Sequence, residues 1–180
     1  MALNATLYHF DIDLSDSDRG VYQTLSPRVA KHPSETDEFL ITRLLAYCLE
    51  YREGLSFSKG GLSTPDEPAL AVHDLTGVLT RWIDVGLPEP ARLHRASKAS
   101  SQVAVYSHKD VTTLLARLNE EKVHRVEEIE IYTIDRDLID ALTTRLTRRM
   151  KFSLVATDRQ LYLSIGAETF IGSVVQHRGG

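Results

Sequence analysis

Residues 65–98 read PDEPALAVHDLTGVLTRWIDVGLPEPARLHRASK, and the rest of the chain is arranged around them. Two short β-type segments, residues 69–73 and 78–85, are joined by Asp74-Leu75-Thr76-Gly77, which has Asp first and Gly last as a turn requires. Acids stand at Asp66, Glu67, Asp74 and Asp84. Pro88 or Pro90 suits a helix start, and the helix that follows carries Arg92, Arg95 and Lys98 at three-residue steps. Carboxylates on a hairpin followed by cations suit a Mg²⁺ and phosphate site.

The hairpin register can be counted. If Leu75 and Thr76 form a two-residue loop, His73 faces Val78, Val72 faces Leu79, Ala69 faces Trp82 and Glu67 faces Asp84. Directly opposed residues share a face and lie close enough to touch. Two like charges there repel, and a cation between them would give the pairing a reason. The alternative is a bulge or a longer loop that sends the acids to solvent separately. Asp84 interrupts Val78, Leu79, Trp82, Ile83 and Val85, so it is the harder acid to assign to solvent.

Working outward, Tyr8, Phe10 and Ile12 alternate with polar residues as in a strand with one buried face. Residues 21–30 resume β character, with Pro27 consigning them to an edge. HPSETDEFLITRLLAYCLEY is the strongest helix, with Ser34 as expected N-cap and Leu40, Ile41, Leu44, Leu45 and Cys48 as its apolar stripe. Glu35 and Glu38 stand at its start, either complementing the helix dipole or adding a carboxylate to the site. Leu55 to Ser58 is a short strand, and Gly60-Gly61 closes it as a loop or as a place for close phosphate approach. QVAVY, from Gln102, is a buried strand. A helix over residues 109–122, an alternating strand over 126–134, and a helix capped by Asp135 follow. Arg145, Arg148 and Arg149 close that helix or form a second phosphate patch. Residues 151–166 are a hairpin turning at Asp158-Arg159, residues 169–176 add a strand, and residues 177–180 read as a frayed tail.

The chain has 180 residues, 42% hydrophobic and 26% charged, with a formal net charge of −4. No apolar run approaches the ~20 residues of a membrane helix. MALNATLYHF lacks the pattern of a leader peptide, and Cys48 is the sole cysteine, so a reducing cytoplasm is expected. An acidic protein can hold a polyanion only through a local patch. No histidine pair has helical zinc spacing, and no Rossmann, P-loop or nucleophile-elbow motif occurs, so no nucleotide cofactor is expected. The acids remain, and oxygen ligands suit Mg²⁺ or Mn²⁺.

The chain resembles the YaeQ family across nearly its full length. MALNATLY, VAKHPSETDEFLITRLLAY, DEP at Asp66–Pro68, WIDVGLP at Trp82–Pro88, RLHRAS from Arg92 and LYLS carry the resemblance. It implies a variant of the PD-(D/E)XK restriction-endonuclease-like fold: a core ordered helix, three strands, helix, strand over residues 34–106. Residues 1–30 and 150–175 would make a second, mostly antiparallel sheet within one domain of residues 1–180. It also implies a Mg²⁺-dependent nuclease or phosphodiester hydrolase. Asp66 or Glu67 would be the first metal acid, Asp84 the second, and Glu35 or Glu38 the helical one, with Arg92 on phosphate. The lysine expected two residues after the second acid is Gly86 here; Arg95, where relatives often carry Lys, or Lys98 would supply that cation. The alternative is a non-catalytic nucleic-acid or protein binding module on the same frame.

Overall fold

The structure, a computed structural model, describes residues 4–58 and 66–178. Gly60-Gly61 and Pro65 lie outside the described residues. In chain order the elements are β1 (Thr6–Asp16), β2 (Val21–Leu25), β3 (Arg28–Lys31), α1 (Asp37–Leu49), β4 (Leu55–Phe57), β5 (Leu70–His73) and β6 (Leu79–Val85). Then come α2 (Pro90–Ala99), β7 (Gln102–Ser107), α3 (Thr112–Glu120), β8 (Glu130–Ile134), α4 (Arg136–Thr144), β9 (Arg149–Thr157), β10 (Gln160–Ile165) and β11 (Glu168–Arg178). No helix among the described residues is long and apolar enough to cross a membrane.

The described strands form a large, mostly antiparallel sheet in the order β2-β1-β9-β10-β11-β8-β7-β6-β5-β4, with β3 on β1. The strands of the chain ends, β1 to β3 and β9 to β11, pair with one another as expected, but they continue into the core strands instead of lying beside them. β11 joins the halves: residues 168–173 pair with β10, and residues 174–178 pair with β8. His177 and Arg178 are ladder residues opposite Ile131 and Glu130, not a frayed tail.

Helices cover the sheet unequally. α1 and α4 lie together on one face, where Leu40, Ile41, Leu44, Leu138 and Leu142 meet Phe10, Ile83, Ala104 and Leu163. α2 and α3 pack Leu93, Ala96, Leu114 and Leu118 on the opposite face, against Trp82, Val103 and Val105. The alternation along β6 and β7 supplies both faces at once, as a strand covered on both sides must.

α1 begins later than Ser34 suggests. Thr36 is the N-cap, its Oγ1 accepting from Phe39 N at 3.1 Å. At its far end Glu50 meets Arg81 of β6, Nε to Oε1 at 2.7 Å, and Arg81 reaches Glu130 of β8 at 2.6 Å. Arg81 and Glu50 are 5% and 4% exposed, so this is a buried clamp across β6, β8 and α1.

Gly54 enters β4 with φ +89, and a Cβ there would lie 2.1 Å from the His73 carbonyl oxygen. Gly54→Ala therefore combines backbone strain with a collision against main chain. A loss of about 3 kcal/mol or more is expected, measured by urea unfolding.

Candidate functional site

The hairpin that carries the acids does not turn as counted. Asp74 O accepts from Gly77 N at 3.0 Å and Asp74 N donates to Val78 O at 3.0 Å. Asp74 Oδ1 gathers Thr76 N, Thr76 Oγ1 and Val78 N, which holds its carboxyl below the usual range. The register also shifts between Val72 and His73, so His73 faces Leu79, Val72 faces Arg81 and Ala71 faces Trp82. Glu67 consequently falls before β5 begins and is not the cross-strand partner of Asp84. The turn moves the register by one position and the bulge by one more, so the count is two off by the time Trp82 is reached.

Asp84 and Glu67 nonetheless line one cleft, of about 330 Å³ at the end of β6, together with Phe39, Arg43, Ser58 and Arg92. Asp84 is 2% exposed and takes the fork of Arg92: Nε to Oδ2 at 2.8 Å and Nη2 to Oδ1 at 3.0 Å. Arg92 Nη2 also donates to the Glu67 carbonyl at 2.6 Å, and the guanidinium sits 5.4 Å from the Trp82 ring centroid. Glu67 Oε2 accepts from Ser58 Oγ at 2.8 Å. A planar fork on a carboxylate is the strongest geometry open to this pair.

The other expected residues are distributed differently. Asp66 is exposed and lines an adjoining cleft of about 280 Å³, which shares Ser58 and Glu67 with the first. Glu35 precedes α1 and is buried against Arg43, which donates Nε to Oε2 at 3.1 Å and Nη2 to Oε1 at 3.0 Å. Burial pushes the Glu35 carboxyl up, and Arg43 opposes that shift. Burial likewise lowers Arg43, with Glu35 opposing. Glu38 lies half-buried in the first turn and does not line the cleft. Arg95 and Lys98 are exposed and also lie outside it. Each three-residue step along a helix falls ~60° short of a full turn, so Lys98 points ~120° from Arg92.

Gly86 explains the missing lysine. It has φ +91, and its N–H donates to Tyr106 O at 2.8 Å. A side chain there would adopt a strained backbone and press its Cβ to 3.2 Å from the Phe39 ring. Sequence reasoning missed Arg43, whose guanidinium is also 5.5 Å from the Phe57 ring centroid. The available signal was a cation placed inside the apolar run from Leu40 to Leu45.

Whether these groups suit Mg²⁺ depends on how many ligands the protein must provide. Among the described residues, no three His, Cys, Asp or Glu side chains gather as a metal cage. Mg²⁺ often takes one or two carboxylates and completes its shell with water and substrate phosphate. Asp84 and Glu67 meet that lesser requirement, because a carboxylate oxygen accepts more than one bond. An ion arriving with its substrate would be held by these two, with Arg92 sharing Asp84.

Comparison with known proteins agrees with the residues quoted at the outset. The family model for YaeQ protein matches residues 1–173. The YaeQ proteins of Escherichia coli (strain K12) and Shigella flexneri are each 30% identical over 166 residues, covering 91% of this chain and 91% of theirs. The crystal structure of YaeQ protein from Pseudomonas syringae superposes with a TM-score of 0.88 at 28% identity, covering 98% of this chain and 97% of that one. The YaeQ protein from Xanthomonas axonopodis pv. citri gives 0.86 at 30% identity, with coverages of 98% and 99%. The chain belongs to the YaeQ family.

Proposed function

We propose that this protein is a Mg²⁺- or Mn²⁺-dependent phosphodiester hydrolase of the PD-(D/E)XK type, acting on nucleic acid at the Asp84–Glu67 cleft. The observation that carries the reading is the opening of a buried Asp84 and of Glu67 into one cleft beside Arg92. The succession α1, β4, β5, β6, α2, β7 supports it, being the helix, three strands, helix, strand of that fold. Fold alone would not carry a function.

Asp84 and Glu67 would hold the ion, which supplies a water of lowered pKa and neutralises charge on the phosphate. Arg92 exchanges one carboxylate bond for a non-bridging phosphate oxygen, a fork-shaped donor suiting either partner. Ser58 orients Glu67 through its hydroxyl. Arg43 lends positive potential from the cleft wall, although Glu35 occupies its fork. Arginine is a poor proton shuttle at neutral pH, and no lysine lines the cleft among the described residues, so proton transfer falls to water.

A second reading has its own observation. Arg92 already compensates Asp84, as a metal otherwise would, and this favours a binding module that holds a polyanion without cutting it. Calorimetry with Mg²⁺ and Mn²⁺ on the wild type and Asp84→Ala separates the two. The hydrolase requires a saturable metal isotherm that the variant loses, and metal-dependent cleavage within a panel of single-stranded, duplex and structured DNA and RNA. Retention of a polyanion with equal affinity in chelator, without cleavage, sinks the hydrolase and leaves the binding module.

A further inference from the structure

β7 and β8 are adjacent and parallel, but the chain leaves them in opposite directions. From β7 it passes to α3, which packs with Trp82 and Val105; from β8 it passes to α4, which packs with α1 on the other face. Where neighbouring parallel strands send their connections to opposite faces, a crevice opens at their carboxyl ends, and ligands of α/β sheets characteristically bind there. Such a crevice exists here, of about 630 Å³. It is lined by His108 and Lys109 directly after β7, by Asp135 and Arg136 directly after β8, and by His177 of β11. The volume is that of a small-molecule site. Neither Asp84 nor Arg92 lines it.

His108 gives the crevice its chemical character. The residue is 9% exposed, and its Nδ1 lies 3.2 Å from Thr42 Oγ1. The Thr42 hydroxyl has a single proton and donates it to Glu38 O at 2.7 Å. Nδ1 must therefore carry the ring proton and donate to Thr42, which leaves a lone pair on Nε2. Among the described residues no hydrogen bond satisfies that nitrogen, and it is not sealed from solvent. Burial, Lys109 and Arg136 lower the His108 pKa against the smaller pull of Glu38 and Asp140. His108, tied to α1 through Nδ1 and lining the crevice, thus has Nε2 left to accept from a ligand.

The walls suit an anion. The first turns of α3 and α4, each nine residues long, open onto the crevice at Thr112 and Arg136, placing two positive helix ends there. Lys109 and Arg136 add exposed cations. Asp110 and Asp135 are occupied in the turns, each Oδ1 accepting a first-turn amide, from Thr112 N at 2.8 Å and Asp137 N at 3.0 Å. Their outer oxygens partly offset the cations, which argues against a bare polyanion track and for a small ligand with one anionic end.

We propose that the crevice between the carboxyl ends of β7 and β8 binds a small phosphorylated molecule, its phosphate held by Lys109 and Arg136 and a hydroxyl or amine at its other end donating to His108 Nε2. The test titrates inorganic phosphate, ribose 5-phosphate and ribose into the full chain, following the His108 ring nitrogens by long-range ¹H–¹⁵N NMR. Ribose 5-phosphate is expected to shift the Nε2 resonance saturably and to bind more tightly than inorganic phosphate. Lys109→Gln with Arg136→Gln, both at exposed positions, should weaken it about tenfold or more. His108→Phe, which has no acceptor, should bring the affinity for ribose 5-phosphate down to that for inorganic phosphate. No shift through the millimolar range overturns the proposal, as does a shift that survives the double substitution unchanged. These outcomes do not depend on metal binding or cleavage at Asp84, so either site can fail alone.

Discussion

Arg92→Ala is expected to lower stability by about 3 kcal/mol, because it leaves Asp84 buried without its counter-charge. Asp84 is 2% exposed, so water cannot replace the lost fork without local opening. The reverse substitution should cost less: the Arg92 side chain is 24% exposed and can turn its charge to solvent once Asp84 is gone. The double variant should recover part of the loss, and the cycle of four melting curves would measure the coupling. For a chain of this size, the single Arg92 change corresponds to a fall of about 6–12 °C in Tm. The same variant also bears on the metal. If Asp84 and Glu67 hold Mg²⁺, removal of Arg92 clears the carboxylate, and Mg²⁺ at 100 times its Kd should restore about 2.7 kcal/mol. A Tm indifferent to Mg²⁺ in Arg92→Ala removes the metal from the cleft.

The other large effect lies at the opposite end of β6. Arg81→Ala should cost about 3–5 kcal/mol, since it strips a buried charge from between Glu50 and Glu130 and leaves Glu50, among the described residues, with Arg52 alone as a cationic partner. Burial pulls the Arg81 pKa down, but the hydrogen bond to Glu130 and the pairing with Glu50 outweigh it and hold Arg81 above its ordinary value. Burial raises Glu130, and Arg81 and Tyr132 more than offset this, so its carboxyl sits below the usual range. A depressed folded pKa means stability that is present above the unfolded value, about 4.3, and is lost as pH falls through the lower folded one. Wild type should therefore soften on acidification below about pH 4.3 through this group. Arg81→Ala, already weakened at pH 7, should show a shallower loss over that window, as read from urea midpoints at successive pH values.

Periodicity served the sequence reading well wherever one local rule decided the outcome. The alternation of Tyr8, Phe10 and Ile12 became β1, the stripe from Leu40 to Cys48 became the buried side of α1, and Asp158-Arg159 became the turn between β9 and β10. Both turn residues have positive φ, and Asp18 accepts from both of their amides. The site was harder to read because it rests on register and on distant partners. The turn and one bulge beside His73, a position each, displaced Glu67 from Asp84, and no propensity distinguishes a two-residue turn from the Asp74–Val78 arrangement that replaced it. The Glu35–Arg43 pair spans eight positions and folds back across the α1 N-cap, beyond helical i, i+4 logic. Cations at steps of three looked co-facial, but only Arg92 reaches the cleft because the drift accumulates. The strands of the chain ends do pair with one another as expected, but nothing local announces that β11 will serve two ladders and make that sheet continuous with the core strands.

β11 and the parallel pairing of β1 with β9 also govern how this molecule comes into being. His9 waits for Arg149, 140 positions later, and the two halves are tied only when the last strand is in hand. During synthesis the β1 hairpin must stand with an unsatisfied edge until nearly the whole polypeptide has left the ribosome, the condition under which strands find wrong neighbours. Slow refolding and a dependence on chaperones at birth would be natural consequences of so late a closure.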